Sequence, residues 1–391
     1  MKKIIFFSVS LFVVLTSCKN EKQEQTSDIE QLRCLNCPKG TLDNDKSEYK
    51  SISFIKLETN KDCLITELKQ MEMNDSLIFF LDYNQHLFIF NREGKFISQI
   101  GSKGNGPSEY VTLSTFFVDN KNGHVVIIDD VKSTFLTFDF KGKFLSSIRM
   151  PLENIRRAWQ ALMSDKNNLL LFNMMNMEDN MAYSVVSPNK GELKGKYFSY
   201  DPIKLNNYLY PFSNHPMVKA GDEIHFILPI SDTIYSYSNS TFSTKYKIEV
   251  NQKMAKKEQI GYNTFNYSSE LAKLSRDGYF PGFNAIFETD SKIFLDYASE
   301  GLMGYFLFDK QTGEGYKYEY SYYPPLKNLP FIRIVYSLPD DKLIGISHPD
   351  GLSAIIEDLV IENPSPSVRQ LMELLENTSN DENPVLIVYQ L

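Results

Sequence analysis

Two segments of this 391-residue chain align without a gap at a spacing of 48 residues, and that repeat limits the architecture more than any other feature. Residues 82–100 read DYNQHLFIFNREGKFISQI, and residues 130–148 read DVKSTFLTFDFKGKFLSSI. Asp82/Asp130, Phe90/Phe138, Gly94/Gly142, Phe96/Phe144 and Ile100/Ile148 share the offset. Each unit is predicted to be a β-hairpin turning at Gly94 or Gly142, because glycine supplies the positive φ such turns need. Apolar alternation ahead of the second hairpin adds strands over Thr112–Asp119 and His124–Asp129. Four short antiparallel strands per ~40–50 residues is the pattern of a β-propeller blade.

The rhythm continues more faintly. Gly191 follows Gly142 by 49 residues, and apolar runs over His225–Pro229, Thr233–Tyr237 and Thr244–Val250 suggest a fourth blade. Strands over Ala285–Glu288, Ile293–Tyr297, Tyr305–Asp309 and Tyr316–Tyr320 suggest a fifth. Ile332–Ser337 and Leu343–Ser347 begin a sixth, interrupted by helical spacing over Pro364–Thr378 before a last strand at Pro384–Leu391. That blade lacks a fourth strand, whereas Tyr49–Leu57 is a strand with no blade of its own. Pairing the two closes the ring and removes exposed edges. With the insertions 251–280 and 363–382 set aside, the remainder is close to six units of 48. The expected fold is therefore an all-β, six-bladed propeller over 47–391, closed by the N-terminal strand and carrying small helical insertions. The 28 Phe and 23 Tyr are mostly strand filling, with only one Trp.

Ahead of the ring, Met1-Lys2-Lys3 and the apolar run Ile4–Leu15 have the layout of a secretory signal, too short to span a bilayer. The following Leu15-Thr16-Ser17-Cys18 resembles the lipobox of bacterial lipoproteins, in which the chain is cut before the Cys and that Cys is acylated. Residues 1–17 are then a signal peptide and Cys18 the lipidation site; the other reading is an ordinary signal that happens to contain a Cys. Residues 18–46 read as a flexible polar tether. Cys34 and Cys37 have CxxC spacing without a second pair or a βαβ context, so a disulfide between them, or from one of them to Cys63, is expected rather than a metal site. The net charge of −8 and pI near 5.3 argue against nucleic acid as a partner.

The run Gly101-SKGNGPSEY-Val111, the repeated F-D-x-x-G-K-F turns and the ending Asn383-PVLIV-Tyr389 together resemble the six-bladed β-propeller lipoproteins of Bacteroides-type bacteria. The resemblance implies a fold and an address: outside the cytoplasm, lipid-anchored to the outer membrane, with the periplasmic or cell-surface side open. It implies little chemistry.

In such a blade the A–B and C–D connections share one end of the ring, and these are uniformly short. The B–C and D–A connections carry every long insertion, so that end is expected to hold function and to point away from the membrane. Its candidate ligand contacts are Arg156, Arg157, Trp159, Tyr208, Tyr210, Tyr262, Tyr267 and Tyr279, aromatic faces and cations that suit glycans or peptides. The plainer reading is that the aromatics pack the insertions down and the arginines are solvated. No G-x-S-x-G, H-E-x-x-H or P-loop motif occurs, and the five His form no spaced pair. Asp82, Asp129, Asp130 and Asp232 sit at hairpin corners, where Asp caps turns. The sequence thus points to a binding or interaction module for a glycan, peptide or envelope protein, without a cofactor. The alternative is a metal-dependent lactonase- or lyase-like propeller, Ca²⁺ being one candidate, with carboxylates and His348 at the channel mouth.

Overall fold

The structure is a computed structural model describing residues 29–35, 49–151, 158–165, 167–173, 181–199, 215–228, 230–256, 259, 273–274, 276–299, 302–319, 329, 331–358 and 364–391. Two strands come first, β1 (Glu30–Leu35) and β2 (Ser51–Lys56). A first antiparallel meander follows: β3 (Leu68–Met73), β4 (Leu77–Asp82), β5 (Leu87–Asn91) and β6 (Phe96–Gln99). The second is β7 (Thr115–Asp119), β8 (His124–Asp129), β9 (Thr134–Asp139) and β10 (Phe144–Arg149). The third is β11 (Ala158–Asp165), β12 (Asn168–Asn173), β13 (Met181–Ser187) and β14 (Glu192–Ser199). The fourth is β15 (Met217–Ala220), β16 (Glu223–Ile227), β17 (Thr233–Ser238) and β18 (Thr241–Glu249).

A short parallel pair, β19 (Lys253–Met254) and β20 (Tyr279–Phe280), precedes the fifth meander. That meander is β21 (Ala285–Glu288), β22 (Lys292–Ser299), β23 (Leu302–Asp309) and β24 (Glu314–Glu319). The last has β25 (Ile334–Leu338), β26 (Lys342–Ser347) and β27 (Val385–Gln390), with helices α1 (Pro349–Asp358) and α2 (Pro366–Glu376) between its second and third strands. The expected helix is α2. Ser365 caps it by accepting from the Val368 amide, Pro366 opens it, and Val368 and Leu371 bury its apolar side. Helix α1 was not foreseen.

Strand β2 supplies the missing edge of the last sheet, pairing antiparallel with β27 from Ser51↔Gln390 to Lys56↔Val385. The first strands of successive meanders touch in a cycle: β3 meets β7, β7 meets β11, β11 meets β15, β15 meets β21, β21 meets β25, and β25 meets β3. Apolar side chains fill the joints between neighbouring sheets. Leu68, Met71, Phe80, Phe90, Ile344 and Leu386, for example, form one cluster between the last meander and the first.

Polar staples tie the same joints. Gln70 donates to Phe116 O at 2.9 Å and accepts from the Thr115 hydroxyl at 2.6 Å, linking the first meander to the second. Gln160 does the same between the third and fourth, donating to Met217 O at 2.9 Å and accepting from Met217 N–H at 3.1 Å.

On the outside, each hairpin glycine meets the preceding sheet. Gly94, Gly142 and Gly191 have φ of +83°, +84° and +68°. A Cβ at Gly142 would sit 3.0 Å from Gln99 O, one at Gly191 2.8 Å from Arg149 O, and one at Gly94 would collide with Lys56 O. Only glycine allows both the conformation and the approach.

The equivalent Gly313 instead faces Gln31 O of β1, at 2.6 Å from where a Cβ would lie. Within the stretch read as a tether, β1 is thus a strand. It runs parallel between β18 and β24, with Arg33 opposite both Glu249 and Glu314, and fuses two meanders into one nine-stranded sheet. Leu32 and Cys34 point into the joint beneath it, while Arg33 and Glu30 lie outside. Two inward side chains in six residues give too little periodicity to stand out from a polar segment. Cys63 is a buried thiol that donates to Glu58 O at 3.2 Å. Cys18 and Cys37 lie outside the described residues.

Candidate functional site

Connection lengths follow strand order. The A–B and C–D turns are two to four residues long, whereas D–A connections reach 35 residues, at 250–284, and the last B–C connection, 348–384, holds both helices. At the A–B end the inner strands leave a cavity of about 930 Å³, lined by the ends of β3, β11, β15 and β25 and their turns. A second cavity of about 690 Å³ runs outward between the second and third meanders. Glu72, Met73, Asn120, Leu162, Lys219 and Tyr336 line both, so the two spaces meet at those residues.

Glu72 is the chemical centre of this junction. Its Oε2 accepts from the Tyr336 hydroxyl at 3.3 Å. Desolvation raises its carboxyl to about 7, against hydrogen bonds from Gln70 and Tyr336 that favour the ionised form. Burial likewise pushes the Tyr336 hydroxyl upward. Across the cavity, burial lowers His215 to about 4, so the ring is neutral at physiological pH. Its Nδ1 lies 3.1 Å from Ile286 O and its Nε2 3.3 Å from Gln160 Nε2, which fits an Nδ1–H tautomer, and Phe287 stacks on it.

A second buried cluster ties the fourth meander to the fifth. The two ring nitrogens of His225 lie 2.6 Å from Glu288 Oε2 and 2.9 Å from Glu223 Oε2, and Lys310 Nζ is 2.7 Å from Glu288 Oε1. Desolvation of Glu288 is outweighed by His225 and Lys310, which hold its carboxyl below the ordinary value. Neither Glu72 nor this cluster was anticipated. The available signal was a polar residue inside an apolar inner strand, as in Leu68–Met73, and it does not name its partner.

The sequence-derived candidates are dispersed. Trp159 lies in β11 under the Lys69 ammonium, 5.5 Å from the ring centre; burial lowers that amine to about 8, against the attraction of Asp130. Tyr279, in β20, lies under Lys253 and beside Ala255 and Leu274. His348 borders a separate cavity of about 300 Å³ with Arg333 and Asp350. Arg156, Arg157, Tyr208, Tyr210, Tyr262 and Tyr267 lie outside the described residues.

Two of the four corner aspartates cap turns: Asp82 accepts from His86 N–H at 2.8 Å, and Asp129 from Val131, Lys132 and Val111 N–H, whereas Asp232 accepts from the Thr233 hydroxyl and Lys247 Nζ. Among the described residues no three His, Cys, Asp or Glu side chains are gathered as metal ligands, and no helix is long and apolar enough to cross a membrane.

Two solved structures share the fold. A Bacteroides fragilis protein named as exported is 20% identical, with a TM-score of 0.72 over 92% of this chain and 98% of its own. A DUF4221 family member from Bacteroides vulgatus is 10% identical, with a TM-score of 0.51 over 87% of this chain and 96% of its own. No curated protein matches. Residues 33–390 match the domain of unknown function DUF4934, a span that takes in every sheet from β2 to β27, and the chain belongs to that family.

Proposed function

We propose that the chain is an exported six-bladed β-propeller, lipid-anchored through Cys18 to the outer membrane, that serves as a binding module for a glycan, peptide or envelope protein. Six meanders, the cyclic contacts of their first strands and the closure by β2 support the blade count. The binding reading rests on one observation: the long D–A and B–C connections sit on a scaffold whose other turns are minimal. Arg156, Arg157, Trp159, Tyr208, Tyr210, Tyr262, Tyr267 and Tyr279 belong to or flank those connections and are its ligand contacts.

The test is site-specific photocrosslinking in cells. A crosslinker at Lys103, in a D–A connection, is expected to trap a partner that one at Gln311, in a C–D turn away from both cavities, does not. Equal adducts at both positions count against the reading. Metabolic labelling with a fatty acid tests the anchor; the label is expected on the native protein and absent from Cys18→Ser.

A further inference from the structure

We infer that the junction of the two cavities at the A–B end is a second binding site, for an extended peptide segment that places a basic side chain at Glu72 and apolar side chains in the cleft between the second and third meanders. The site lies at the opposite end from the long connections and does not depend on what those bind.

Charge and shape together carry the inference. Glu72 is a carboxylate held deep in the ring by neutral donors alone, the Tyr336 hydroxyl and the Gln70 amide. Among the described residues no cation is hydrogen-bonded to it. An ionised carboxylate in such a place is poorly compensated, and an ammonium or guanidinium entering the cavity supplies the missing partner.

Two cations of the first cavity, Arg92 and Lys219, are turned elsewhere, while Lys121 and His124 line the second. Arg92 donates to Asn74 O at 3.3 Å, and Lys219 to Met163 O and Ser164 O at 3.2 and 3.3 Å. His215 is neutral, while Asp75 and Asp340 add negative charge at the rim, the latter paired with Lys342.

The adjoining cleft has an apolar part, made by Phe117, Val126, Phe135, Leu145, Ile148 and Ala161, of which Leu145 is exposed, and a polar part that includes Asp119, Asn122 and Asp165. A radial cleft with apolar and acidic parts that ends at a carboxylate matches a chain with alternating apolar and basic side chains. A free amine would use the carboxylate and leave the cleft unfilled.

The test uses the full-length protein purified in detergent and a fluorescein-labelled Leu-rich octapeptide with one central Lys. The Lys peptide is expected to bind at least tenfold more tightly than its norleucine counterpart. Because Glu72 has its carboxyl raised to about 7, ionisation between pH 6 and pH 8 should strengthen binding roughly tenfold. Glu72→Gln should remove both the Lys preference and the pH dependence attributable to this residue, whereas any contribution of Lys219, Lys121, His124, Asp119 or Asp165, which also line the cavities, would persist in that variant. Leu145→Asp, at an exposed position, should abolish peptide binding with the fold intact. Equal affinity for the Lys and norleucine peptides overturns the inference. So does n-butylammonium competing as well as the peptide, which identifies a free-amine site instead.

Discussion

The joint between the last meander and the first and the joint between the fourth and the fifth each receive a strand from the N-terminal segment, but in different ways. At the first of these, β2 enters a sheet that has only three strands of its own and pairs antiparallel with β27 over its full length. At the second, β1 lies parallel between two outer strands that already complete their meanders. The former closes the ring; the latter straps two finished units together. Their interiors differ as well. The closing joint holds Glu72 with neutral partners, whereas the strapped joint buries His225, Glu288 and Lys310 as a charged cluster. A ring therefore has one joint where a strand is obligatory and others where extra pairing is supplementary.

The largest expected effect comes from removing β2. Replacing residues 51–56 with a Pro/Gly/Ser segment of equal length keeps β1, leaves β27 as an open edge and removes the apolar contacts of Ile52, a loss comparable with the ~5–15 kcal/mol total stability of an ordinary domain. The variant should give no cooperative thermal transition and should aggregate on size-exclusion chromatography. A sharp, reversible melt would break the distinction between the joints.

Glu288→Ala comes next. It strands Lys310 without its anion and leaves the His225 ring without its Glu288 partner, and is expected to cost about 3–5 kcal/mol in urea unfolding. Glu223→Ala, whose carboxylate is 37% exposed, should cost no more than about 1 kcal/mol. Leu32→Ala, under the strap, should cost about 2–3 kcal/mol. Its hydrogen exchange should quicken over β1, β18 and β24 and leave β2 and β27 unchanged.

The smallest effect is on pH dependence, and it has opposite signs at the two joints. Glu288 is held below its ordinary value when folded, so its contribution is present above about pH 4.5 and fades as pH falls through the folded value. Glu72 is raised to about 7 when folded, so its contribution is full below about pH 4.5 and is lost as pH rises toward 7. Glu72→Gln should flatten the loss on the alkaline side by about 1 kcal/mol, a modest figure because the carboxylate borders water. Urea titrations at pH 5 and pH 8 measure it; a Glu72→Gln protein that loses more stability at pH 8 than at pH 5 contradicts the assignment.

What the sequence disclosed follows the range of the interactions. The turns at Gly94 and Gly142 and the helix after Ser365 are local and were legible. Strand β2 was legible because Tyr49–Leu57 alternates clearly and the last meander is short by one strand. Strand β1 was not, since its partners, Tyr246 to Glu249 and Glu314 to Tyr316, lie more than 200 residues away and its own pattern is two side chains long. The Glu72–Tyr336 contact spans 264 residues, and His225–Glu288 spans 63. No spacing rule links such pairs; only the closed order of the inner strands brings them together. Much of the aromatic set proposed from the long connections lies outside the described residues, while Trp159 and Tyr279 are each covered by a lysine.

The central claim is that β2 closes the ring in a fixed register, and a cross-link tests it most directly. Ser53 and Val388 are paired directly across β2 and β27, within the reach of a disulfide. In the Ser53→Cys/Val388→Cys protein, oxidation should give an intramolecular bridge between residues 53 and 388 by peptide mass spectrometry, with a raised melting temperature. A protein that stays reduced at these positions while folded, or that links them only between molecules, would contradict the closure.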